Sequence, residues 1–220
     1  MSSAPRLVLL HATPVAVEPV QAAFKALWPE ARLVNLLDDA LSPDRASEPE
    51  LSPQMIERFV NFGRYGYSIG AEGILVTCSA FGPAIEKLAT EVPVPVLKPN
   101  EAMFHAAVAN GTRIGMIATF GPSVGTMEAE FNEYVTTVNS SATLRTILVE
   151  DAMTALRQGD AETHNRLIAE RAPELADCDT IMLAHFSTSR AEAAVQAVVE
   201  IPVLSAPGAA VTRMRALIGG

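Results

Sequence analysis

Two residues stand out as able to do chemistry. Cys78 lies in Val76-Thr77-Cys78-Ser79-Ala80-Phe81-Gly82-Pro83, and His185 lies in Leu183-Ala184-His185-Phe186-Ser187-Thr188-Ser189-Arg190. Both segments read as the end of an apolar strand running into a helix. A thiol at a helix N-terminus ionises more readily, because the helix dipole and open N–H groups favour the thiolate. The amides of Ser79 and Ala80 can also receive a substrate carboxylate. Histidine titrates near neutrality and can serve as base, acid or partner of a thiolate. The plain alternatives are a buried inert cysteine and a histidine that only hydrogen-bonds a loop.

Secondary candidates follow other strand ends. His11 and Thr13 stand in Leu10-His11-Ala12-Thr13-Pro14, and Thr119 and Ser123 stand in Ala118-Thr119-Phe120-Gly121-Pro122-Ser123. With Phe186 and Ser187 they are candidate substrate-binding residues, since a bound molecule's polar groups need such partners. Ordinary turn roles account for any one of them equally well. Ser187 or Ser189 can cap the helix that follows His185. Asp38, Asp39, Glu150 and Asp151 follow second strands, as support for the site or as helix-entry residues. His105 and His164 fall inside helical stretches and are expected to be solvated or at the core edge. Cys178, in Ala176-Asp177-Cys178-Asp179, precedes its strand and is read as structural.

The elements that must position these residues alternate regularly. Strands are expected over Arg6–Leu10, Ala31–Leu37, Gly73–Thr77, Val94–Leu97, Arg113–Ala118, Leu144–Val149, Thr180–Ala184 and Pro202–Ser205. Helices are expected over Ala16–Trp28, Gln54–Ile69, Pro83–Thr90, Asn100–Asn110, Gly125–Val138, Asp160–Leu175 and Arg190–Val199. Strands separated by helices imply an α/β fold with parallel sheets covered on both faces. Gly70 and Asn110-Gly111 read as helix stops.

Sliding the chain against itself by 107 positions exposes a repeat. Gly73-Ile74-Leu75-Val76-Thr77-Cys78 then overlies Thr180-Ile181-Met182-Leu183-Ala184-His185, and Val94-Pro95-Val96-Leu97 overlies Ile201-Pro202-Val203-Leu204. Arg6–Leu10 overlies Arg113–Ile117 at the same offset. With a small insertion, Leu36–Leu41 matches Leu148–Met153. Two pseudo-symmetric halves are therefore expected, each a four-stranded parallel sheet flanked by helices. The first takes residues 1–99 plus 206–220, and the second takes 100–205. Ligands of open parallel sheets bind beyond the carboxyl ends of strands, so the active site is expected in a cleft between the halves. The repeat puts Cys78 and His185 on opposite walls of it.

Composition narrows the classes. A net charge of -9 with sixteen scattered Lys and Arg argues against nucleic acid. No apolar run approaches the roughly 18 residues of a membrane span, and the N-terminus Met1–Arg6 lacks the pattern of a signal peptide. Two cysteines form no disulfide framework, which fits a reducing cytoplasm. No Gly-rich phosphate loop, Gly-x-Ser-x-Gly elbow or metal-ligand spacing is present, so neither cofactor nor metal is expected. The sequence leaves room for a homo-oligomer.

Val76-Thr77-Cys78-Ser79, with a pseudo-equivalent residue about a hundred positions later, resembles the aspartate/glutamate/hydantoin racemase superfamily. Val94-Pro95-Val96-Leu97 and Arg113–Thr119 look like that family's strands leading into the second half. The resemblance implies two four-stranded α/β halves, no cofactor, and one cysteine per half acting on opposite faces of a carbon beside a carboxylate or carbonyl. The group includes amino-acid and hydantoin racemases, maleate isomerases and arylmalonate decarboxylases. This chain departs from it at Ala184-His185-Phe186, where the family pattern has Gly-Cys-Thr.

The expected reaction is therefore proton transfer at the α-carbon of a small carboxylate or hydantoin-like substrate, with Cys78 and His185 serving opposite faces. A decarboxylase or a maleate-isomerase-like addition by Cys78 remains an alternative, with His185 as its base. So does a non-catalytic small-acid-binding protein on the same scaffold.

Overall fold

The computed structural model of the chain describes residues 4–48 and 50–219, the side chain of Pro122 excepted. Met1–Ser3, part of the N-terminal reading, lie outside the described residues. Each of the eight expected strands forms. In the first half these are β1 (Arg6–His11), β2 (Arg32–Leu37), β3 (Gly73–Val76) and β4 (Val96–Leu97), with helices α1 (Val17–Leu27), α2 (Leu41–Ser47), α3 (Pro53–Ser68) and α4 (Gly82–Glu91). The second half has strands β5 (Arg113–Ala118), β6 (Thr143–Leu148), β7 (Thr180–Leu183) and β8 (Val203–Ser205). Its helices are α5 (Glu101–Asn110), α6 (Val124–Thr137), α7 (Glu150–Arg157), α8 (Ala161–Arg171), α9 (His185–Thr188) and α10 (Glu192–Gln196), and α11 (Ala206–Ile218) ends the chain.

The two sheets have matching orders, β2-β1-β3-β4 and β6-β5-β7-β8, and every pairing is parallel. The repeat extends to register. Leu7 faces Gly73 as Ile114 faces Thr180, and Ile74 faces Val96 as Ile181 faces Val203. One detail differs from the sequence match. Arg32 faces Arg6 and Thr143 faces Arg113, so the second strands are offset by 111 positions, and Leu36 corresponds to Ile147 rather than Leu148. A one-residue slip reverses which face each side chain takes, so only the pairing could settle it.

Burial follows the sheet order. Leu7, Val8, Leu9 and Leu10 of β1 are at most 1% exposed, and all of β3 and β7 is buried. Strands covered on both faces read as unbroken apolar runs, which is why they were visible in the sequence. The edge strands β2 and β6 are much more open. Each half has its own core. The first gathers Val8, Leu10, Phe59, Ile74, Phe81, Ile85 and Leu88, and the second gathers Ile117, Ile168, Leu175, Ile181, Leu183 and Val195. No helix among the described residues is long and apolar enough to cross a membrane.

Local signals mark the ends of two helices. Ser52 Oγ accepts from Met55 N at 3.3 Å with Pro53 in the first turn of α3, and Asp160 Oδ1 accepts from Thr163 N at 2.9 Å to start α8. Gly70 ends α3 in the left-handed region, φ 88°. Helices α2, α7, α9 and α11 were not expected. Pro43 lies in the first turn of α2 and Pro207 in that of α11, where a missing N–H costs little. Ser205 Oγ accepts from Gly208 N at 3.3 Å, tying the start of α11 to β8. The compact units accordingly divide at Ala102 and Ala210, a few residues beyond the expected 99/100 and 205/206 boundaries.

His105 is exposed, as expected, but His164 is completely buried. It lies one turn before Ile168 on α8 and so shares that helix's core face. Its Nδ1 is 2.8 Å from Asn165 Oδ1, while buried Nε2 lacks a hydrogen-bond partner. Burial pushes its pKa below the ordinary 6.5, and the Arg190 charge adds to that, against the Asn165 hydrogen bond.

Gly111 serves close approach rather than backbone freedom, since it does not enter the left-handed region. A Cβ there would lie 2.4 Å from Asp179 Cβ. Asp179 accepts from the N–H groups of Thr112 and Arg113 at 2.9 and 2.8 Å and pairs with the Arg113 guanidinium at 2.6 Å. The Arg113 guanidinium, then these amides, hold its carboxyl at about 2.

Two stability predictions follow. Gly111→Ala should destabilise the chain by about 1–3 kcal/mol in urea denaturation, because the clash is with a rigid Cβ. Gly125→Ala, with open space around it, should be neutral or stabilising. The second concerns acid. The unfolded chain protonates His164 near 6.5 while the folded chain resists, so folding loses stability as pH falls from 6.5 through the lowered value. The melting temperature should drop from pH 7.5 to 5.5, and His164→Leu should flatten that drop.

Candidate active site

The carboxyl ends of the strands hold every candidate except Cys178. In the first half, Cys78 follows β3 with extended backbone, φ -132° and ψ 122°, and is half-buried. A 3-10 turn, Ser79–Phe81, separates it from α4, so its thiol stands before that turn rather than directly at the helix end. Ser79 is half-buried, and Ala80 is exposed. Phe81 is fully buried and stacks on Phe59, with ring centroids 4.8 Å apart, so it belongs to the core. Thr13 is half-buried and precedes the 3-10 turn Pro14–Ala16.

His11 is not the surface residue the sequence suggested. It closes β1, is completely buried, and has both ring nitrogens engaged: Nδ1 is 2.9 Å from Thr77 Oγ1, and Nε2 is 3.0 Å from Asn35 Oδ1. No ring nitrogen is left for a substrate. Burial lowers its pKa, with the Asn35 hydrogen bond working the other way, so the ring is held neutral. Thr77 directly precedes Cys78, and its Oγ1 is also 3.2 Å from the Leu10 carbonyl oxygen.

In the second half, His185 opens the four-residue helix α9 instead of a loose turn. Its backbone is left-handed, φ 68°, an uncommon conformation for a residue with a side chain. Such strain persists only where the surroundings fix it, and it gathers at functional sites. Among the described residues, buried Nδ1 has no hydrogen-bond partner. Burial lowers the pKa of His185 against a backbone hydrogen bond at Ala184, so near pH 7 the imidazole is neutral and able to take a proton.

The other candidates in this half are mostly satisfied internally. Thr119 is buried, with Oγ1 3.3 Å from Thr188 Oγ1, which links the end of β5 to the helix that begins at His185. Ser123 Oγ donates to the Phe120 carbonyl at 2.8 Å. Phe186 is buried and Ser187 half-buried. Ser189 Oγ donates to the Phe186 carbonyl at 2.6 Å, closing α9, and neither serine caps the helix beyond. Phe120 stays exposed, with the Arg157 guanidinium 5.7 Å from its ring centroid. Asp38 holds Arg58 through both carboxylate oxygens, and Glu150 and Asp151 occupy the first turn of α7. Cys178 lies in the core, where burial raises its pKa.

Sequence reasoning missed Thr77, Asn35 and Thr188. Asn35 did leave a trace, as a polar residue amid Leu33, Val34, Leu36 and Leu37.

Comparison with known proteins agrees with this architecture. No curated protein sequence matches the chain. Among solved structures, allantoin racemase from Klebsiella pneumoniae superposes with a TM-score of 0.72 at 18% identity, over 98% of this chain and 88% of that one. The Gly74Cys mutant of arylmalonate decarboxylase gives 0.71 at 18% identity, over 98% and 94%. A glutamate racemase isoform from Bacillus anthracis gives 0.67 at 14% identity, over 99% and 82%. At these identities the likeness is one of fold. The Asp/Glu/Hydantoin racemase model matches residues 10–214. With two parallel four-stranded sheets in the same register and a match over nearly its whole length, the chain belongs to the Asp/Glu/hydantoin racemase family.

Proposed function

We propose that the chain is a cofactor-independent isomerase that moves a proton at a carbon α to a carboxylate or amide carbonyl, with Cys78 serving one face and His185 the other. The observation that carries this is the state of His185. At the position equivalent to Cys78, a histidine sits in left-handed backbone with a buried, unpartnered ring nitrogen and a lowered pKa. His164 in the core shares the unpartnered nitrogen and the lowered pKa, so what sets His185 apart is its left-handed backbone at the position matching Cys78. Family membership supplies the reaction class, and the second residue departs from the family's cysteine.

The chemistry follows from the two groups. The neutral imidazole takes the α-proton as base, and the Cys78 thiol returns one from the other side. The reverse direction uses thiolate and imidazolium. The intermediate is enolate-like, and the amides of Ser79, Ala80, Phe186 and Ser187 are the donors proposed to stabilise it. One such donor is typically worth about 3–4 kcal/mol. The substrate is a small carboxylate or hydantoin-like molecule, held with the help of Thr13.

A base and an acid of such different basicity suit a reaction with a preferred direction at least as well as a racemisation. Loss of carbon dioxide from a malonate or cis–trans isomerisation of an unsaturated diacid therefore belongs in the same test.

The experiment is proton exchange in D₂O, followed by NMR over amino acids, hydantoins, malonates and unsaturated diacids. Cys78→Ala and His185→Ala should each lower the rate by about 10²-fold or more. Silence across the panel, together with ordinary alkylation kinetics at Cys78, would replace this reading with that of a non-catalytic small-acid-binding protein.

A further inference from the structure

Among the described residues, the first half carries a polar network that the second half lacks, running inward from exposed Asn35 to buried His11 and Thr77. Asn35 on β2, His11 at the end of β1 and Thr77 just beyond β3 form a continuous hydrogen-bonded line across three neighbouring strands. With Nε2–H donating to Asn35 Oδ1, a neutral His11 ring presents Nδ1 as an acceptor, and the single Thr77 hydroxyl hydrogen lies between Nδ1 at 2.9 Å and Leu10 O at 3.2 Å. The main chain is fastened at the same level, since Thr77 N donates to Leu10 O and Asp38 N donates to His11 O, each at 3.1 Å. The next residue along the chain is Cys78.

The repeat provides an internal control for what this network does. The strand pairings equate His11 with Ala118, Asn35 with Thr146 and Thr77 with Ala184. The second sheet thus forms in the same order and register with two alanines at these places. Its remaining polar member, Thr146, has a buried hydroxyl with no partner among the described residues. Strand assembly therefore does not require the network. A buried histidine with two hydrogen bonds is a demanding thing to keep in a core, and among the described residues this one occurs only in the half that bears Cys78.

We propose that His11, held between Asn35 and Thr77, is a positioning residue that fixes the backbone at Thr77 and thereby aims the Cys78 thiol. The neutrality of the ring fits this role, because a neutral ring keeps Nδ1 as the acceptor that Thr77 needs. The proposal rests on the proton-transfer reading for its catalytic consequence, but thiol reactivity reports on it separately. Small displacements of a reacting group are costly, up to about a hundredfold for roughly 1 Å.

The test pairs Thr77→Val, which deletes the hydroxyl at constant shape, with Thr77→Ser, which keeps it. Turnover of the best panel substrate and the pH profile of Cys78 alkylation by iodoacetamide are measured for both. Thr77→Val is expected to lower kcat on the order of tenfold with KM within about twofold, and to displace the alkylation profile. Thr77→Ser should restore both. A Thr77→Val protein that melts earlier but keeps wild-type turnover and alkylation would overturn the proposal, leaving a purely structural network. So would a serine variant as impaired as the valine one. Should wild type turn over nothing, the proton-transfer reading fails by itself, and the alkylation profiles of the two variants still decide for or against positioning. Should Thr77→Val not fold, ¹⁵N NMR of the wild-type histidine rings decides. A His11 ring neutral at pH 7 with its proton on Nε2 supports the network, and a doubly protonated or freely tautomerising ring refutes it.

Discussion

Pairing of the two inner strands in each half, β1 with β3 and β5 with β7, is the constraint on which everything else depends. An inner parallel strand has both faces covered, so its side chains must be apolar or carry their hydrogen-bond partners with them. Leu7–Leu10 and Ile74–Val76 meet the first condition. Polar groups then appear where the strands stop, at His11, Thr77 and Cys78 in one half and at Thr119 and His185 in the other. The candidate residues sit at the carboxyl ends because the interior of the sheet excludes unpartnered polar groups.

Much of this was visible in the sequence, for a reason that also sets the limit. Buried parallel strands leave nearly unbroken apolar runs, so the inner strands and the offset of 107 positions between β1 and β5 could be read directly. Helices α2 and α11 could not, because Pro43 and Pro207 look the same in a first turn as in a loop. The offset of the second strands was misjudged by one position because Leu36-Leu37 and Leu148-Val149 are interchangeable in hydropathy. Only hydrogen-bond pairing separates 111 from 112.

The site was legible in outline and not in its supports. The repeat singles out Cys78 and His185 as candidates, and both stand just beyond matching strands. The setting of His11 depends on partners 24 and 66 positions away, and no local pattern carries that information. Taken alone, His11-Ala12-Thr13-Pro14 reads as a loop offering an imidazole to a ligand. Likewise Thr119 looked like an available hydroxyl until Thr188 was found beside it. Residues that seem ready to bind a ligand are often already bound to their own chain.

The left-handed backbone at His185 sets the two halves apart at the position the repeat equates. Cys78 is seated on extended backbone, φ -132°, while the matching position in the second half has φ 68°. The two seats therefore differ, even though the strands leading to them share one register. Writing a cysteine at position 185 would match the residue without matching the direction of its Cα–Cβ bond. The halves differ here in the main chain as well as in the side chain, and a second seat like that of Cys78 would mean rebuilding the turn from Ala184 through Thr188 as a unit.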